Sequence, residues 1–328
     1  MIRKNKSGLV LIIVLGYFSL LSGLLLTLNH LSSKSFNLVE RQKSVNSIAL
    51  HISTLDRWVY ELLKQDLDFA LDNQFSQPVA GGSVSAQLSD ISGTMNVNGL
   101  ILQNRRGEVY RHAFAKLLSW HSSSSQSLDL LSTEPDYQYL DLMGKIYDYI
   151  DEDDDPNPMG YSSGEVISLS GGGVLASKSY PLISLSELRV FDSNLPLQKL
   201  SSDVSVSEDI YAININKVSP RLLSVILSFL SNDKTLCFCG TEQEKFLQGR
   251  PYKNVESAYN ALQQGFSADK VPLNLDDFNA IFTTDSNRFK LKGEVEISSY
   301  KRVFERVYSR SRPGVSDKYE IFGKRAVY

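Results

Sequence analysis

Leu9 to Leu28 form an uncharged, predominantly apolar run, and beyond it the apolar pattern thins rather than stops. At about 1.5 Å rise per residue such a run makes a helix close to 30 Å long, the thickness of a bilayer's hydrocarbon core. Apolar residues then recur at Leu38, Val45, Ile48, Ile52, Leu55, Val59 and Leu62, in steps dominated by three, four and seven. That is the spacing of one helix face. Together the two patterns predict one long helix over residues 9–75, with residues 9–30 crossing a membrane. Gly81 to Gly99 alternates polar and apolar positions around Ser92-Gly93, which predicts a strand, a turn and a second short strand paired as a hairpin.

Helical spacing returns from Glu108 to Trp120 through Val109, Ala113, Phe114, Leu117 and Leu118, and again from Tyr137 to Ile150. Ser184 and Glu187 have the spacing of a capping box, and Ser219 before Pro220 sets a helix start ahead of Arg221–Leu230. Asn254 and Asn274 stand where N-caps belong, before Val255–Leu262 and Leu275–Ile281. Strand patterns resume over Phe289–Ile297, Lys301–Ser309 and Lys318–Tyr328. A long helix, strands, a helical middle and closing strands make an α+β chain.

Charge orients the first helix. Arg3, Lys4 and Lys6 precede the apolar run, so the positive-inside rule keeps the N-terminus cytoplasmic and sends the bulk of the chain across. A cleaved secretory signal is disfavoured, since Thr27 to Leu31 offers no small-residue cleavage site. A plain bitopic anchor with a juxtamembrane helix stays open on periodicity alone. The balance of 34 basic and 37 acidic residues, with a pI near 5.9 and no basic stripe, argues against a nucleic-acid surface. The helices around Ser219 to Leu262 are therefore read as a packing module and not as a DNA-binding helical hairpin.

Candidate chemistry is sparse. Cys237 and Cys239 are too close in sequence for an easy disulfide, whose Cα atoms prefer a separation of roughly 5.5–6 Å, and a second pair for zinc is missing. An oxidising compartment could still close them as a strained local loop; a structural role is preferred over a redox one. His30, His51, His112 and His121 do not fall into metal-ligand spacing, and no Ser/His/Asp grouping is supported. The reading is a non-enzyme, with a catalytic ectodomain on a bitopic anchor as a minor alternative. Asn96/Asn98 and Asn214/Asn216 are read as pins that bond local backbone at domain junctions, with a sugar- or substrate-binding role as the residual. In the acidic run Asp148 to Asp155, the alternate carboxylates Asp151, Asp153 and Asp155, with Glu165 further on, suit a hard cation such as Ca²⁺. The competing reading is a solvated acidic loop held irregular by Pro156 and Pro158.

The leader resembles that of type IV pilin-like proteins, a short basic segment ending in Gly8 and followed at once by an apolar helix from Leu9. The resemblance implies cleavage between Gly8 and Leu9 by a prepilin peptidase. Most such proteins carry Glu at the fifth mature position, where this chain has Ile13. A lone carboxylate in hydrocarbon costs several kcal/mol unless paired, so a subunit with nothing above it in a filament has reason to omit one. That departure is similar to the minor pseudopilin K family of the type II secretion system, the general secretion pathway. Asn96-Val-Asn98, Asp148-Tyr-Ile-Asp151, Tyr180 to Arg189, Ile213-Asn-Ile-Asn216, Gly249 to Tyr252 and Thr284 to Phe289 resemble that family's landmarks in their order along the chain.

The resemblance implies a pilin-like long N-terminal helix packed on a small antiparallel sheet with a large, mainly α-helical inserted domain. The implied divisions are a leader (1–8), the long helix (9–75), a first β part (76–104), the insert (105–285) and the last strands (286–328). It further implies a single-pass inner-membrane protein with its C-terminal domain in the periplasm, sitting at the pseudopilus tip with minor pseudopilins I and J and the other pseudopilins. There it would start assembly and control length while folded proteins are exported. Calcium-binding loops in the insert belong to the same implication, although Met159 to Glu165 departs from the family's pattern after the acidic run. Direct recognition of secreted substrate, or service as a minor pilin of a type IV pilus, are the alternatives.

Overall fold

The computed structural model describes residues 6–64, 72–122, 137–150, 166–168, 174–176, 180–207, 212–231, 238, 240–265, 273–311 and 320–327. Helix α1 (Lys6–Leu63) is one 58-residue element, about 87 Å long at the rise of an α-helix. From Val14 through Val39 every residue is exposed, and this half holds the one described helix stretch long and apolar enough to cross a membrane. It contains no carboxylate before Glu40. Thr27 satisfies its hydroxyl inside the helix, donating to the carbonyls of Leu24 at 2.8 Å and Gly23 at 3.1 Å.

Burial begins at Ser44 and continues through Ile48, Ile52, Leu55, Asp56, Val59 and Leu63, a stripe at helical spacing. The expected stripe is correct from Ile48 onward, whereas Leu38 and Val45 are 64% and 41% exposed. Leu63 replaces Leu62 as its last buried member. The helix ends at Leu63 and strand β1 (Asp72–Val79) occupies part of the stretch expected to be helical up to residue 75. In β1 Phe75 and Val79 are half-buried while Gln74, Ser76, Gln77 and Pro78 are exposed, and the Phe75 ring meets Trp58 of α1 at 5.8 Å.

The Ala80-Gly81 turn returns the chain into β2 (Gly82–Asp90). This turn makes the first hairpin; the one expected about Ser92-Gly93 does not form. There the chain bends into β3 (Met95–Asn96), a 3₁₀ turn (Val97–Ile101) and α2 (Arg105–Ser122). α3 (Tyr137–Ile150) follows, then the antiparallel pair β4 (Val166–Ser168) and β5 (Val174–Ala176), a second 3₁₀ turn (Leu185–Val190), the single turn α4 (Leu197–Leu200), β6 (Val204–Ser205) and β7 (Ile213–Asn214). Helices α5 (Pro220–Leu230), α6 (Thr241–Gln248), α7 (Val255–Gly265) and α8 (Leu275–Ile281) complete the middle of the chain. β8 (Phe282–Thr283), β9 (Arg288–Ile297), β10 (Tyr300–Ser311) and β11 (Glu320–Val327) close it.

The main sheet has the strand order β1-β2-β9-β10-β11, and β11 runs antiparallel to β10. β3 pairs instead with β6, in parallel, which is why the expected hairpin is absent. Contact clustering gives two compact units. One comprises Met1–Leu62, Phe75–Ala86 and Gly293–Val303; the other comprises Leu63–Gln74, Gln87–Lys292 and Phe304–Tyr328. The second unit holds the larger core. α2 buries Val109, Tyr110, Phe114, Leu117 and Leu118 and packs against α3, α5 and α8, while α5 buries Leu222, Leu223, Val225, Ile226 and Leu227. The architecture is α+β, a long N-terminal helix with an antiparallel sheet and a helical insert, as the pattern led us to expect.

Candidate functional site: anchor helix and root of the insert

The sequence-expected positions fall in three groups. Gly8 and Leu9 lie within α1, close to its first residue. Asp151, Asp153, Asp155, Glu165, Cys237 and Cys239 lie outside the described residues. Among the described residues, no three His, Cys, Asp or Glu side chains gather as a metal ligand set. The two Asn pairs, by contrast, are fully placed.

Each Asn at the root of the insert uses its amide as if it were a peptide group. Asn96 Nδ2 donates to the Ser207 carbonyl at 2.9 Å, while its Oδ1 accepts from Ser207 N and Asn98 N, both at 3.2 Å. Asn98 repeats the pattern on Leu182, donating to its carbonyl at 3.1 Å and accepting its N–H at 2.7 Å, with a further bond to the Ser207 carbonyl. Asn216 does the same with Tyr252, at 3.0 Å and 2.7 Å. Asn214 accepts from Asn216 N and donates to Ser286. Asn96 and Asn98 are at most 1% exposed. These amides therefore satisfy backbone groups that burial would otherwise leave costly. The pins act across up to 111 residues of chain, not only locally.

Backbone bonds stitch the same place. Ile91 N donates to the Arg288 carbonyl, Asn214 N to Ser92, and Ile215 N to Thr283, so the entry, middle and exit of the insert meet. Arg288, fully buried, donates to Ser205 Oγ at 3.0 Å and to the Thr94 carbonyl. Ser92 Oγ in turn accepts from the N–H groups of Asn287 and Arg288, both at 2.8 Å.

A second cluster was not legible beforehand. Asp203, wholly buried, accepts from Ser219 Oγ and from the Arg221 guanidinium, whose Nε stands 2.8 Å away, and His121 Nε2 lies 3.6 Å from it. Arg221 also lies over the Trp120 ring at 4.3 Å. Burial pushes the Asp203 carboxyl up, but His121, Ser219 and Arg221 together outweigh it and hold the group below its ordinary value. Nearby in the core, burial lifts the Tyr110 phenol to about 12. The one advance signal here was Ser219-Pro220, whose hydroxyl caps α5 by accepting from Leu222 N at 3.0 Å.

No protein-family model and no curated protein sequence matches the chain. A solved structure does, that of the GspK-GspI-GspJ complex from the type 2 secretion system of enterotoxigenic Escherichia coli. The match covers 90% of this chain and 99% of the matched chain, with a TM-score of 0.60 at 18% identity. The two chains share a fold. At that identity the likeness lies in the order of elements and not in individual side chains.

Proposed function

We propose that this protein is a minor pseudopilin of a type II secretion system, of the K kind. In this reading α1 holds it in the inner membrane by a single pass, with the remaining chain in the periplasm, and prepilin peptidase cuts between Gly8 and Leu9. The observation that carries the reading is the shared fold over nearly the full length of both chains. Its consequence in chemistry is assembly: an exposed, carboxylate-free apolar half of α1 packs among helices of the same kind without an uncompensated charge in lipid.

Ile13 supports a place at the tip. With no carboxylate there, the subunit has nothing to offer the terminal amine of a neighbour at that level. The insert between the first and last strands adds bulk where a further subunit would stack. The tip subunit then joins minor pseudopilins I and J, starts the pseudopilus and limits its length during export of folded proteins. Calcium held by Asp151, Asp153, Asp155 and Glu165 is part of the proposal and rests on the spacing of those carboxylates.

Mass spectrometry of the membrane-bound chain, expressed with and without prepilin peptidase, tests the reading. The expected mature protein begins at Leu9 only when the peptidase is present, and the full chain purified from its own membrane brings two minor pseudopilins with it. An intact leader in the presence of the peptidase removes the proposal; recovery of secreted substrate alone favours the cargo-binding alternative.

A further inference from the structure

The cluster at the end of α2 sets two basic side chains against a single carboxylate. Asp203, immediately before β6, has a side chain wholly buried, and that of His121, in the last turn of α2, is 3% exposed. Arg221, in the first turn of α5, is 22% exposed. Both ring nitrogens of His121 are buried without a hydrogen-bond partner among the described residues. A neutral imidazole carries one donor and one acceptor, and here neither is met. Nε2 stands 3.6 Å from Asp203 Oδ2, whereas a charge-assisted bond is about 2.8 Å long. A proton on the ring makes Nε2 a cationic donor to that oxygen, and the gap closes.

Asp203 already holds a cation. Its Oδ2 accepts from Arg221 Nε at 2.8 Å, from Arg221 Nη2 and from Ser202 Oγ at 3.2 Å, while Oδ1 accepts from Ser219 Oγ. One carboxylate balances one buried cation, and a second cation in the same low-dielectric place repels the first. Of the two, Arg221 has the way out. Its side chain reaches solvent and its Nη2 also donates to Ser202 Oγ in an exposed setting, whereas His121 has no path to water.

Other charges on α2 and on the elements packed against it have their own places. Asp277 of α8 meets Arg105 at the opposite end of α2, and Tyr147 of α3 lies under Arg111. Asp141 of α3 pairs with Lys145, Lys116 of α2 donates to Ser228 of α5, and Lys199 of α4 is exposed. The Asp203 carboxyl, held below its ordinary value by His121, Ser219 and Arg221 against the opposing effect of burial, stays ionised across the range in which histidines change charge.

We propose that this cluster is a proton-operated latch: when His121 takes up a proton it closes onto Asp203 Oδ2, and Arg221 leaves the carboxylate and the face of Trp120 for solvent. The latch joins the end of α2, the residue that opens β6 and, through the Ser219 cap, the start of α5. Acidification thereby turns an internal ion-pair partner into a surface cation. None of these residues enters the assembly reading, so the two proposals fail separately.

Trp120 reports the movement. It is 8% exposed, with Arg221 Cζ 4.3 Å from its ring centre. The chain has two tryptophans, Trp58 and Trp120, so Trp58→Phe leaves Trp120 as the sole indole. The measurement is quenching of its fluorescence by acrylamide, an uncharged probe, in the Trp58→Phe full chain held in nanodiscs. Lowering the pH from about 8 to about 5, the range in which histidines change charge, is expected to raise the quenching constant about twofold in a one-proton step. His121→Gln in the same background is expected to keep the low value at both ends, with His121→Asn in its place where glutamine does not fold. Arg221→Gln is expected to show the high value at both ends. A flat profile in the Trp58→Phe chain overturns the proposal without recourse to any further variant, and so does a step that survives His121→Gln or Arg221→Gln.

Discussion

Asn98 makes three buried bonds to main-chain groups of Leu182 and Ser207, and no shorter or apolar side chain can replace them. Asn98→Ala removes these three bonds from the core, at about 0.5–1.5 kcal/mol each. The expected result is a loss of about 2–4 kcal/mol in urea unfolding of the full chain. Asp203 adds a pH dependence. Its carboxyl is held below its ordinary value of 3.8, so the stability it contributes is complete above that value and is lost as pH falls through the lower, folded value. Asp203→Ala should cost about 3–5 kcal/mol at neutral pH, because Arg221 loses its buried partner, and should flatten the acid limb of the Tm-against-pH curve. What was legible at this scale follows from side-chain chemistry. Asn in Asn-x-Asn announces backbone bonding wherever it stands, whereas its partners at Leu182 and Ser207 are 84 and 111 residues away and leave no local mark. Asp203 and Arg288 were missed for the same reason: a charged residue beside serines or at the head of a strand reads as solvated until the fold closes over it.

Among elements, the caps carried the most information because their geometry is local. Ser219, Asn254 and Asn274 each accept from the N–H two or three residues on, and each opens the expected helix. Ser184 and Glu187 do form a capping box, yet it opens a six-residue 3₁₀ turn that stops before Pro196; a cap specifies a start and says nothing of length. Pairing was the weak point. Alternation across Gly81 to Gly99 cannot say which strand lies alongside, and the true hairpin turns at Ala80-Gly81. Two adjacent glycines there serve different needs. Gly81 has φ of +82° and a Cβ there would meet only Ser298 Oγ, at an ordinary contact distance of 3.9 Å, whereas a Cβ on Gly82 would stand 1.7 Å from the Glu296 carbonyl oxygen. Gly81→Ala is therefore expected to cost about 1–2 kcal/mol through backbone strain alone. Gly82→Ala forces β2 from β9 and should cost about 2 kcal/mol or more, so the ranking of the two melting temperatures checks the register of these strands.

For the whole molecule, the apolar run of α1 was the clearest signal in the sequence, since twenty uncharged residues have few fates in water. The acidic run is the opposite case, because carboxylates at alternate positions suit either an ion or bulk solvent and period cannot choose. Its surroundings make a calcium effect measurable. α3 ends at Ile150, which is fully buried, and the β4–β5 pair begins at Val166, so both ends of the stretch from 151 to 165 are attached to ordered structure. An ion gathering Asp151, Asp153, Asp155 and Glu165 would bind the folded chain and not the unfolded one, where those carboxylates are dispersed. Ligand at a hundred times its dissociation constant then adds about 2.7 kcal/mol. For a body of this size that corresponds to roughly 5–10 °C in Tm. Calcium should raise the melting temperature of the full chain by that amount, EDTA should reverse it, and the Asp151→Ala/Asp153→Ala/Asp155→Ala triple variant should melt at the EDTA value whether or not calcium is present. A triple variant that still responds to calcium would move the ion to other ligands, and a wild-type chain indifferent to both reagents would leave the acidic run as solvated surface.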